Sequence, residues 1–121
     1  MSALVWGGVA VLGGLGAVAR VLVAASVSVR LPSAFPLGTF AVNVSGAFLL
    51  GLVVGTGAGG DAYRLAGLAL LGSYTTFSTW MLEARLLSSS GRSRVALAYV
   101  VASAVVGLGA VALGRWIGAR I

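Results

Sequence analysis

The sequence predicts an all-α membrane protein of four transmembrane helices, with the third broken mid-membrane, in a single domain spanning residues 1–121. Three observations predict it. Hydrophobic residues make up 60% of the chain and charged residues 8%, against roughly 25% charged in ordinary soluble domains, and the mean hydropathy is +1.10. A water-soluble protein this small has too much surface to cover with so few polar side chains. The apolar residues fall into four runs, each near the ~20 residues that a helix needs to cross a bilayer. The third run alone is interrupted by a block of hydroxyl residues.

The first run, 3–29, is uncharged except for Arg20. It is too long for the apolar region of a secretory signal peptide and lacks the basic residues that would precede one. Arg30, Pro32 and Pro36 follow; these are the chain's two prolines, and they punctuate a loop. The second run, 37–57, carries no charge, and the glycine-rich segment 57–61 reads as a turn. The third run covers about 63–87. It is apolar at first, polar from Ser73 through Thr79, then apolar again. Residues 88–94 form the last loop, and the fourth run, 95–114, is closed by Arg115 and Arg120. Close helix contacts in lipid use small residues four apart. Gly51 with Gly55, Gly114 with Gly118, and Gly13 with Ala17 have that spacing, which in a chain of 19 glycines reads as generic tight packing.

Charge excludes several function classes. There is no His and no Cys, which removes the usual zinc sites, thiol chemistry, disulfides and a histidine switch. A pI near 11.5 would suggest nucleic acid in a soluble protein. Here the eight basic residues, all arginine, are scattered between apolar runs, so membrane topology accounts for them and no nucleic-acid partner is expected. With four spans, Arg64, Arg115 and Arg120 lie on one side of the bilayer and Arg30, Arg85, Arg92 and Arg94 on the other. So even a division gives almost no positive-inside preference. The expectation is insertion in both orientations and pairing as a dual-topology antiparallel dimer.

A few residues do not belong in lipid. Arg20 lies deep in the first run, where an arginine costs roughly 2.5–3.5 kcal/mol on insertion scales. It should face protein, water or an anion, in a structural or vestibule role. Asn43 is mid-span in the second run. It is either interhelical glue or an amide donor to a permeant species. Gly72 and the consecutive Thr75 and Thr76 are poor mid-helix sequence, and a helix broken at membrane depth needs a cavity, an ion or protein for its free backbone groups. If helix resumes, Phe77 and Trp80 share one face and Thr76, Thr79 and Glu83 another. Tyr99 and Ser103 are one turn apart on the fourth run.

This inventory of amide, hydroxyls, aromatic edges and arginine offers mostly hydrogen-bond donors. Glu83 is the one acid within a run, and it lies near an end. Proton-coupled antiport usually needs a carboxylate buried mid-span, and cation channels commonly use acids or carbonyls. A ring edge is positive and can meet an anion in the ring plane. A narrow passive anion pathway follows. Its competitors are a small multidrug-resistance-type proton-coupled antiporter, which should carry a glutamate in the first span, and a non-transporting scaffold, which would not need a polar helix break.

Residues 38–46 (Gly-Thr-Phe-Ala-Val-Asn-Val-Ser-Gly) and 72–80 (Gly-Ser-Tyr-Thr-Thr-Phe-Ser-Thr-Trp), with Gly-Ala-x-x-Arg at 16–20, closely resemble the Fluc (CrcB-type) fluoride channels over nearly the whole chain. The resemblance implies a non-enzymatic, fluoride-selective passive channel of the inner (plasma) membrane. It would export fluoride down its electrochemical gradient to protect the cell from toxicity. Two chains, identical or paralogous, would assemble antiparallel with two pores. Asn43 would donate to fluoride and Phe77 would present its ring edge. Ser78 and Thr79 would lie on the polar side of the path, with Trp80, Tyr99 and Ser103 completing the pore. Arg20 would sit at the vestibule and Glu83 towards a pore end. Backbone carbonyls of Gly72 and Thr75 would hold a structural Na+ at the dimer centre. The family usually has a second phenylalanine at the position of Trp80, whose N–H can donate, and often Gly-Leu in place of Ser73-Tyr74. Retention of Asn43, Phe77 and Tyr99 together implies a homodimer.

Overall fold

The computed structural model describes residues 2–121, which are helical throughout apart from short connections. Helix α1 spans Ala3–Arg30. Ser2 caps it by accepting a hydrogen bond from the Val5 N–H at 3.2 Å, so one of the orphan donors of the first turn is satisfied. It ends two residues before Pro32, whose ring disfavours helix in the residue preceding it. Helix α2, Leu37–Gly55, starts immediately after Pro36. Gly57, at φ 78°, then takes the left-handed conformation that ends the segment. Helix α6, Ser93–Gly118, is the last span. α1, α2 and α6 are each long and apolar enough to cross a membrane.

The third segment is assembled from pieces. A turn of α-helix, α3 (Gly60–Ala62), leads into π-helix over Tyr63–Leu71 and a final turn, α4 (Gly72–Tyr74). Residues 75–77 are not helical, and α5, Ser78–Ser89, resumes beyond them. The interruption falls in the hydroxyl block, as the sequence predicts. The π-helix is an addition to that prediction. Widening a turn to i→i+5 bonding changes the register of a helix without altering its composition, so apolar periodicity does not announce it.

Helices α2 and α6 form the most extensive contact in the chain. The cause is mutual. A Cβ at Gly51 or Gly55 would collide with the carbonyls of Val111 or Arg115, and one at Gly114 or Gly118 with those of Phe48 or Leu52. Both glycine pairs singled out by their spacing therefore lie against the opposing backbone. The third pair does not. Gly13 faces open space, and on α1 Gly16 makes the close approach, to Ser73 and the Leu70 carbonyl. Which glycine on a helix is essential depends on how the helix is rotated against its neighbour, and spacing carries no information about that.

Few side chains are fully buried; Val42 and Tyr99 are the largest. Large apolar residues such as Leu4, Val18, Leu22, Leu97 and Leu108 are mostly exposed, as expected where lipid replaces water around the helices. Gly51→Val should force α2 and α6 apart. Overpacking of this kind costs about 1–3 kcal/mol, so a clearly lower thermal unfolding midpoint is expected in detergent. Gly13→Val should leave the midpoint near that of the parent protein, and an equal loss in both variants would contradict the packing described.

Candidate ion pathway at the broken third segment

The break is held open by an amide. Thr75 is extended, with φ −78° and ψ 159°. Its N–H still donates to the Leu71 carbonyl at 3.1 Å, but the next helical bond, from Thr76 N–H to the Gly72 carbonyl, is not made. Thr76 N–H instead donates to Asn43 Oδ1 at 2.8 Å, and Asn43 Nδ2 donates back to the Thr76 carbonyl at 2.8 Å. The Thr76 hydroxyl then accepts from Thr79 N–H at 3.2 Å and caps α5. That capping bond diverts the donor that would otherwise reach the Thr75 carbonyl. The carbonyls of Gly72 and Thr75 are both released from the helical ladder. Around them α2 forms a seat. Ser45 Oγ lies 3.0 Å from the Tyr74 hydroxyl, and Gly46 leaves room for Thr75 and the Tyr74 ring, where a Cβ would collide.

Two cavities flank the break. The larger, about 500 Å3, is an open groove between α2, α6 and the broken segment, with Asn43, Thr76, Phe77, Trp80 and Ser103 on its walls. The smaller, about 220 Å3, is lined by Arg20, Thr39, Thr76 and Thr79 together with apolar residues. The two stripes predicted for α5 thus open onto different spaces: the aromatic pair onto the groove, the hydroxyls onto the cavity with Arg20. Thr76 borders both. Phe77 and Trp80 meet edge to face, with ring centroids 5.7 Å apart and planes at 81°.

Other predicted residues stand apart. Ser78 is exposed and borders neither space. Tyr99 is fully buried, among Ala84, Leu87 and Ala96, and edge to face with Phe35. Glu83 accepts a 2.5 Å hydrogen bond from the Thr39 hydroxyl and faces a polar recess formed with the loop before α2. Thr39 carries no predicted role. Its signal is simple: it stands one turn before Asn43 on α2, so the two share a face.

Four buried polar atoms have no hydrogen-bond partner within the described chain: Arg20 Nε, Trp80 Nε1, the Tyr99 hydroxyl and the Ser103 hydroxyl. Each can donate. A buried donor left unpaired costs about 1–3 kcal/mol, and three of the four belong to Arg20, Trp80 and Ser103, which line the two cavities beside the break. Ser103 is instructive. Ser45, Ser73, Ser89 and Ser90 all bond back to a carbonyl of their own chain three or four residues earlier, the usual refuge of a helical serine; Ser103 does not. Glu83 accepts from Thr39 and lies beside the Tyr99 hydroxyl, and Asp61 pairs with Arg64 at 3.0 Å. Among the described residues there is no cluster of acids that could hold a metal.

Residues 8–115 match the family described as CrcB-like protein, Camphor Resistance (CrcB). The chain belongs to the CrcB family. Among curated relatives, the protein named Fluoride-specific ion channel FluC 2 of Mycobacterium tuberculosis (strain ATCC 25618 / H37Rv) is 48% identical over 117 residues, 97% of this chain and 93% of its own. The Fluoride-specific ion channel FluC 1 of Leifsonia xyli subsp. xyli is 43% identical over 122 residues, 98% of this chain and 89% of its own. A further FluC 2, from Symbiobacterium thermophilum, is 47% identical over 113 residues, 89% of this chain and 92% of its own. Membership in the CrcB family, with three helices long enough to cross a bilayer, makes this a membrane protein. It leaves the multidrug antiporter without support.

The Asn43 clamp is testable. Asn43→Ala removes both bonds to Thr76, and losing even one bond worth about 1–1.5 kcal/mol should speed hydrogen exchange at the Thr76 amide about ten-fold. Unchanged exchange would show that something else holds the break.

Proposed function

We propose that this chain is a fluoride-specific passive channel that lets fluoride leave the cell down its electrochemical gradient. The observation that carries the reading is the set of buried, unpartnered donors on Arg20, Trp80 and Ser103, residues that line the cavities beside the break, in a chain whose relatives bear the name fluoride-specific ion channel. Fluoride is small and hard, and it gives up its water only where close donors replace it. Asn43 can be one of them, because its amide has two N–H bonds and the Thr76 carbonyl uses one. Phe77 presents a ring edge, positive in its plane, and Trp80 and Ser103 stand on the same groove. Thr79 and Arg20 serve the polar cavity and vestibule. Glu83 lies towards an end of the path, while Ser78 and Tyr99 border neither cavity.

The working unit of this reading is an antiparallel, dual-topology homodimer in the inner membrane, with a mid-membrane break in each chain and two pores. The groove is open along one side, and the Phe77 ring at its edge is 70% exposed. A second chain would close it. The near-even division of arginines supports opposed insertion. The freed carbonyls of Gly72 and Thr75 are hard oxygen ligands, and they fit a structural Na+ shared between subunits. Such an ion would neutralise carbonyl dipoles that the helix break leaves without donors.

Liposomes carrying the purified protein should release fluoride rapidly down its gradient with no coupled proton movement. Drug-driven proton exchange would favour an antiporter, and silence in both assays a scaffold. Phe77→Ile should cut fluoride flux sharply while the dimer still forms on size-exclusion chromatography; unchanged flux would remove Phe77 from the pore. Bound sodium should resist exhaustive dialysis into sodium-free buffer, and a fully active dimer without any bound cation would refute its structural role.

A further inference from the structure

The end of α6 and the turn after it carry a cluster that the ion pathway does not use. The uncharged run 95–114 is about 30 Å long at 1.5 Å per residue, the thickness of the bilayer's hydrocarbon, so Arg115, Trp116 and Arg120 stand at the headgroups. All three are exposed. Arg120 is held in place. Its guanidinium lies over the Trp116 ring, 3.9 Å from the centroid, and its Nη1 donates to the Trp116 carbonyl at 3.0 Å. Neither arginine is paired with an acid; among the described residues the one ion pair joins Arg64 to Asp61. Leu108, Val111 and Ala112 continue the stripe down the helix, and with the basic end they frame a surface groove of about 480 Å3. This face is not the one that Gly114 and Gly118 press against α2.

We infer that this groove binds an anionic phospholipid, with the phosphate between Arg115 and Arg120 and an acyl chain along Ala112 and Leu108. The lining indicates an amphiphile. From Arg120 to Leu108 is about 18 Å along the helix, close to the ~20 Å depth of one leaflet. Over that length the walls change from cationic and aromatic to wholly apolar. A free anion would use only the basic end. Charge indicates a phosphate, because guanidinium forks grip its oxygens bidentately, and Arg120 is already fixed on Trp116 before the lipid arrives. Charge also argues against a second copy as the cover. In the antiparallel pair of the channel reading, the second chain brings to this level the end that carries Arg30, Arg85, Arg92 and Arg94, and like charges repel. Leu108 and Val111 also border the groove at the break, so the acyl end would meet a second chain seated there. The inference does not depend on which ion the protein conducts.

The experiment reads which lipid lies against Trp116. The full chain is reconstituted in vesicles of phosphatidylcholine and phosphatidylglycerol at one fixed ratio. In each preparation a single one of the two lipids is brominated high on an acyl chain, where bromine quenches nearby indoles. The Trp116 signal is the difference between the wild type and W116F, which leaves Trp6 and Trp80 in both. Quenching by brominated phosphatidylglycerol should exceed quenching by brominated phosphatidylcholine, reporting a preference of about thirty-fold, the scale of two arginines at an anionic headgroup. R115Q/R120Q should bring the two lipids to parity with the helical circular dichroism unchanged. R92Q/R94Q removes the same charge from the other end of α6 and should leave the preference as it is. An equal loss in that variant would reveal diffuse surface attraction and overturn the site. Equal quenching by the two lipids in the wild type would overturn it as well, as would weak quenching by both because a second chain covers Trp116. If R115Q/R120Q does not fold, the wild-type comparison of the two lipids still decides.

Discussion

The pair of hydrogen bonds between Asn43 and the backbone of Thr76 is the interaction on which the rest of this structure depends. Breaking a helix in a bilayer strands N–H and C=O groups that lipid cannot satisfy. One side-chain amide, with a donor and an acceptor at its tip, answers both groups of a single residue. That exchange allows Thr75 to become extended and α5 to start afresh, capped by the Thr76 hydroxyl. Because Thr76 N–H and Thr79 N–H are diverted to side chains, the Gly72 and Thr75 carbonyls lose the partners a continuous helix would have given them. The clamp therefore creates the oxygen groups suited to a cation and the capped helix start beside the groove in the same few residues.

The clamp works only if α2 is held close and in register, and glycine does that. Gly46 admits Thr75 and Tyr74, and Ser45 meets the Tyr74 hydroxyl. On the remainder of α2, Gly51 and Gly55 let the α6 backbone approach, while Gly114 and Gly118 do the same from the α6 side. Without a hydrophobic drive between helices in lipid, such close approach and its dispersion contacts are a main source of cohesion. The same approach brings Ser103 of α6 to the groove beside Asn43 and Trp80.

The side chains around the site leave several buried donors free, while the break leaves two backbone carbonyls free. Arg20, Trp80, Tyr99 and Ser103 each keep an unpaired buried donor, while the Glu83 carboxylate is occupied by Thr39. In the proposed channel, the free donors on the residues lining the two cavities are the places kept for an anion that must be stripped of water.

Composition and order along the chain sufficed for the membrane, the number of apolar segments, the site of the helix break and the residue types around it. These follow from local chemistry: apolar runs of spanning length, prolines and glycines at their ends, and consecutive threonines where a helix is weakest. The family pattern at 38–46 and 72–80 was legible too, because its motifs are contiguous. What only the tertiary structure decided is which groups answer which. That Asn43 clamps Thr76, that Thr39 bonds Glu83, that Ser78 turns away while Thr79 turns in, and that Gly16 rather than Gly13 is at the crossing all depend on how helices are rotated against one another. Rotation is fixed by contacts between residues far apart in the chain, and the π-helical stretch before the break alters it further. No local pattern encodes that rotation, so the sequence could name the donors but not say which of them would be left without a partner.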